Sequence, residues 1–197
     1  MPIFDIQTHL QFYEMLVDDF DDLMRERHSA RRAFHCIMEA YHLREWVWHD
    51  LVENNQKLKD ALNITSENDF NSLINRRCIW FPYFRAITNG SKHFETRETG
   101  FDAFKVEAAP FSLDVLDAGF GEGVWHGPVR YVSGSLPVGQ DNKGVLLFDF
   151  GEGAREQPRF VPVLHVIEAV VRFWRDTLRT FNPDASVKSS AHHNEQP

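Results

Sequence analysis

The stretch SARRAFHCIMEAYHLREWVWHDLVEN, running from Ser29 to Asn54, decides the fold. At 100° per residue, Phe34, Ile37, Met38, Tyr41, Trp48 and Val52 share one broad face, so the segment is apolar over most of its circumference. Such a helix must pack against more than one neighbour. Ser29 stands as its N-cap, and Glu53-Asn54-Asn55-Gln56 ends the apolar pattern.

The neighbours follow from the same periodicity. Leu10, Tyr13, Leu16, Val17, Phe20, Leu23 and Met24 recur at intervals of three and four residues and predict an amphipathic helix over 6–27. Its other face carries Asp18, Asp19, Asp21 and Asp22, read as a solvated charge run without a function. Ser66 with Asp69 has the form of a capping box and opens a helical stretch through Asn75; Pro82 then forces a kink or a restart, with helix continuing to His93. Val163, Val166, Ile167, Val170, Val171, Trp174, Leu178 and Phe181 form a last strong stripe.

Between these, residues 104–150 change character. Val, Phe and Tyr alternate loosely with polar residues between Gly and Pro, as in Val129-Arg130-Tyr131-Val132 and Val145-Leu146-Leu147-Phe148, which predicts strands and hairpins. The expected fold is mainly α (α+β): a four-helix bundle with a β-rich hairpin insertion between the third and fourth helices. One domain is expected over 1–181, and residues 182–197, poor in apolar side chains, are expected to be a disordered tail.

Composition narrows the function classes. A formal net charge of −8 gives no general attraction to nucleic acid or anionic membrane, so any such contact must be local. No apolar run approaches the roughly 18 residues that span a bilayer, and Met1 to Leu10 lacks the pattern of a secretory leader. Cys36 and Cys78 show no metal spacing and read as reduced core thiols. The expected location is cytoplasmic, with no membrane partner.

The richest local chemistry lies at Thr88-Asn89-Gly90-Ser91-Lys92-His93. On a helix starting at Pro82, Arg85, Asn89 and Lys92 fall within about 60° of one another with His93 adjacent, while Tyr83, Ile87 and Phe94 take the opposite side. Guanidinium and ammonium groups hold phosphate, and an imidazole can move a proton on or off a ribose hydroxyl near neutral pH. A helical bundle with a polar residue four positions before His resembles the HEPN family, whose ribonucleases use an Arg, usually a polar residue next, three variable residues and then His. Asn89 and His93 match the last two fixed places, and Thr88 stands where the arginine should be. The resemblance implies a homodimer and a metal-independent ribonuclease or degenerate RNA binder of a mobile-element or defence system. His93 would be general acid or base, Asn89 would orient the backbone or the imidazole, and Arg85 and Lys92 would hold substrate phosphate, with no metal or other cofactor. His42-Leu43-Arg44-Glu45-Trp46 followed by Asn89-x-x-Lys92-His93 also resembles a group of uncharacterised bacterial and phage-borne proteins, over about half of the chain.

Other patterns give the alternatives. A non-catalytic interaction or regulatory module with a protein partner needs only the bundle and its aromatic-rich insertion. A metal-binding bundle would use Glu39-Ala40-Tyr41-His42, a Glu-x-x-His unit, with His165-Val166-Ile167-Glu168 from another helix; His35, His42 and His49, about 10.5 Å apart successively, cannot share one ion. Arg44 to His49 and Arg159 to His165 repeat an Arg-to-His spacing that fifteen Arg and ten His produce by chance. Asp117-Ala118-Gly119-Phe120-Gly121-Glu122-Gly123 resembles motif I of methyltransferases, but the glycines and prolines after it deny the helix that a cofactor loop needs. Arg172, Arg175 and Arg179 are expected to pair with the acidic first helix or meet solvent.

Overall fold

The structure is a computed structural model and describes residues 6–27, 29–92, 105–109, 145–149 and 160–191. Among these the fold is mainly helical: α1 His9–Arg25, α2 Ala30–Val47, α3 Gln56–Leu62, α4 Glu67–Arg77, α5 Phe81–Lys92 and α6 Val163–Phe181.

Helices α1 to α4 each begin where a side chain satisfies one of the first free N–H groups. Thr8 and Gln11 form a full capping box on α1, and Ser66 and Asp69 form another on α4. Ser29 accepts from the Arg32 N–H, and Asn55 from the Leu58 N–H. The third helix, Gln56–Leu62, occupies what reads as a polar break; Leu58 and Leu62, four apart, are partly buried against the core and hold it down. It stops at Asn63, which takes the left-handed conformation at φ 53°. Pro82 lies in the first turn of α5, after the break Cys78-Ile79-Trp80, so the chain restarts there rather than kinks.

Helix α2 packs against α1, α5 and α6, as an all-round apolar helix must. Its buried residues include Ala33, Cys36, Ile37, Ala40, Tyr41, Leu43 and Val47. It meets the α1 stripe of Tyr13, Leu16, Val17, Phe20 and Leu23, and the α6 stripe of Val166, Ile167, Val170, Val171, Trp174 and Leu178. Small Ala40 admits the Trp174 indole, whose N–H donates to the Ala40 carbonyl at 2.9 Å. The helix then widens into a π turn over Trp48–Val52, closed by Glu53 N–H to Trp48 O at 2.8 Å.

Three short strands pair antiparallel in chain order: β1 Lys105–Ala109, β2 Val145–Asp149 and β3 Phe160–Pro162. Leu146 and Phe148, two apart on β2, are both buried, and Val161 of β3 joins the same core. Most of the region expected to be β-rich, Val129 to Val132 included, lies outside the described residues.

Two expectations are corrected. Of the tail expected to be disordered over 182–197, Asn182 to Ala191 is described and its end lies against α1, while residues 192–197 lie outside the described residues. Val187 packs on the core, Lys188 pairs with Asp18, Arg179 donates to Ser189 at 3.1 Å, Ser190 donates its hydroxyl to Asp21, and Ala191 N–H reaches the same carboxylate at 3.2 Å. Sparse apolar content is offset by a matched set of polar partners. Accordingly the aspartates of α1 are not simply a solvated face. Asp21 is buried, Asp22 binds Arg25 and Arg32, and Asp18 binds the tail.

Candidate functional site

Helix α5 carries the residues singled out for chemistry. It turns Phe81, Phe84 and Thr88 into the core, at intervals of three and four. That differs from the expected division, in which Tyr83 and Ile87 formed the inner side; both are only half-buried. The deciding partners are the rings of Tyr41 and Trp174, against which Phe81 packs at 5.9 and 5.7 Å. Thr88, at the place where the HEPN pattern has arginine, is 0% exposed. Arg85 is exposed and Asn89, one turn on, is half-buried, so these two share the outer flank. Lys92 ends the helix, and His93 lies outside the described residues.

The histidine face of α2 does not gather. His35 lies 3.9 Å from Asp19, His42 3.7 Å from Glu45 and His49 3.0 Å from Glu53, each with its own carboxylate. Among the described residues no three His, Cys, Asp or Glu side chains stand together as a metal would require. Glu168 is engaged by Arg172 at 2.6 Å, and His165 is exposed. Arg44 is buried with its guanidinium 4.8 Å from the Tyr41 ring centroid, while His49 points outward, so that Arg-to-His spacing makes no site. Arg159 and the glycine loop at 119–123 lie outside the described residues. Arg172 and Arg175 pair within their own helix, with Glu168 and Asp176, rather than with α1.

No protein-family model, curated protein or solved structure matches the chain.

Two polar pairings escaped sequence reading, although Glu39 itself was named there as a possible metal ligand. Glu39, half-buried between α1 and α2, has its carboxyl pushed up to about 9: burial penalises the charged form, the Asp19 charge repels it, and Asp19 as acceptor favours the protonated form. Burial, with Glu39 and Asp19 nearby, raises the neighbouring Cys36 thiol as well, so it is no nucleophile near neutral pH.

The other is His9 with Asp50, 41 residues apart. Asp50 Oδ2 accepts from the His9 main-chain N–H at 2.9 Å and meets Nδ1 at 2.5 Å, binding the start of α1 to the π turn. Burial works to raise the Asp50 carboxyl, but both hydrogen bonds from His9 and its electrostatic pull outweigh this and hold it below the ordinary range. A carboxyl depressed on folding contributes stability above its unfolded value and loses it as pH falls through the folded one. His9→Ala is expected to cost about 1–3 kcal/mol at pH 7. Urea midpoints measured from pH 7 down to pH 2 check it: the difference between the two proteins narrows as Asp50 protonates.

Proposed function

We propose that this chain is a HEPN-like helical bundle that binds RNA on the outer flank of α5 without cleaving it. The observation that carries the reading is the placement of position 88. A ribonuclease of the HEPN pattern needs a guanidinium there, next to the polar residue and in reach of the scissile phosphate. Here the position holds a threonine packed into the core, so neither its chemistry nor its direction serves catalysis. Arg85, one turn earlier, is exposed with Asn89 beside it, which suits holding a phosphate but leaves no cation at the conserved place to stabilise charge on a pentavalent phosphorus.

Labelled single-stranded RNA, offered with chelator to the wild type, Arg85→Ala and His93→Ala, tests this. The expected result is retained, intact RNA, with affinity about tenfold weaker in Arg85→Ala. Cleavage that disappears in His93→Ala would establish the ribonuclease instead. Absence of any RNA binding by the wild type would leave a protein-interaction module.

A further inference from the structure

The corner where α4 meets α5 combines charge and exposed apolar surface in a way the α5 flank alone does not use. Residues 70–94 contain no Asp or Glu, in a chain that has 29 of them, yet hold Arg76, Arg77, Arg85, Lys92 and His93. Arg76 and Arg77 are exposed on the last turn of α4. Five other arginines, Arg25, Arg32, Arg44, Arg172 and Arg175, each pair with a carboxylate, while Arg27 donates to the Met24 carbonyl and Arg179 to Ser189. Among the described residues, Arg76 and Arg77 join no such pair. Their position suits the negative end of the helix dipole, which accounts for the charge but not for what lies beside it.

Directly after them, Ile79 is 65% exposed, the one large hydrophobic side chain so exposed among the described residues. Trp80 follows, partly buried against the core and partly open. Its carbonyl accepts the N–H of Tyr83 and of Phe84, at 3.1 and 3.2 Å, so the start of α5 fixes the Trp80 backbone. The Trp80 and Tyr83 rings lie 6.2 Å apart at 46°. Covering this apolar surface would be favourable, and the two cations that directly precede it in the chain suit an anion.

We infer that this corner is a stacking site for unpaired bases, in which Trp80 and Ile79 take base faces and Arg76 and Arg77 take the flanking phosphates. The inference rests on the RNA reading above and names the form of RNA. Every base has a face that an aromatic ring can cover, and only unpaired bases present it. A duplex keeps its bases stacked inward, and its deep, narrow major groove does not admit a side chain from a convex corner.

The test titrates the full chain with a labelled, unstructured single-stranded RNA of about 20 nucleotides, a length that exceeds the usual site of one small domain, and with the same strand annealed to its complement. The wild type should prefer the single strand by tenfold or more. The double variant Arg76→Ala/Arg77→Ala, which changes two exposed side chains, should lower the slope of log affinity against log salt by about 1.4. Trp80→Leu should weaken binding about tenfold, and Trp80→Phe, which keeps a ring, should restore most of it; thermal melts of each variant verify the fold. Equal affinity for duplex would overturn the inference. So would wild-type binding in the corner variants, and if Arg85→Ala still weakened binding, the α5 reading would stand without this corner. RNA binding by no protein would remove both, and capture of polyglutamate in its place would assign the corner to an acidic protein partner.

Discussion

Replacing Glu39 by Gln is expected to make the protein more stable above about pH 5, by an amount that grows with pH. Glu39 titrates near 9 in the fold against an ordinary value of 4.5, so between these the folded state holds a proton that the unfolded state has released. Stability therefore falls as pH rises through this window, by at most about 1.4 kcal/mol per pH unit. Below the ordinary value both states are protonated and the fall is absent. Above about 9 the folded state carries Glu39 ionised beside Asp19 in the α1–α2 seam, and the penalty is complete. Gln keeps the shape and the hydrogen-bonding ends and cannot ionise. Melting temperatures between pH 4 and pH 10 should decline for the wild type and stay comparatively level for Glu39→Gln. Parallel curves would show that the carboxyl is ionised throughout, and would remove the account of the seam given above.

Trp174→Ala is expected to be the most damaging single truncation, at about 3–5 kcal/mol. The side chain is fully buried, donates its N–H to Ala40 O of α2, and meets Phe81 of α5 edge-on at 5.7 Å. One residue of α6 thus holds two other helices, and Ala leaves a cavity where they meet. Trp174→Phe keeps most of the ring volume and loses the hydrogen bond, for a smaller cost of about 1–3 kcal/mol. Urea unfolding midpoints for the two variants order them. Equal losses would place the stabilisation in the hydrogen bond and not in the packing.

The stripe of α6 was legible because its apolar residues repeat without interruption, and every one named from the sequence is buried. The Ser66 and Asp69 box was legible for a similar reason: capping is local, and four consecutive residues contain the whole interaction. No described helix is long and apolar enough to cross a membrane, which agrees with the hydropathy of the sequence. The side of α5 was not legible. Its aromatic and aliphatic residues are spread round the circumference, and the Tyr41 and Trp174 rings select Phe81 for the interior, with Phe84 and Thr88 buried on the same side. That choice buries Thr88 and turns Arg85 outward, so it bears directly on the candidate site.

What the sequence by itself determined is what neighbouring residues decide: the four long helical stretches, the Ser29 and Ser66 caps, and the acidic balance, whereas the short helix Gln56–Leu62 was missed. Tertiary structure decided the pairings between distant polar groups. Asp21 with Ser190 spans 169 positions and fixes a segment that its composition marks as loose; Asp50 with His9, and Asp19 with Glu39, set charges that neither local sequence discloses. The physical reason is range. A cap or a stripe is complete within one or two turns, whereas a carboxyl's protonation and a tail's docking depend on which side chain another element delivers within about 4 Å, a distance at which charges interact strongly once water is excluded.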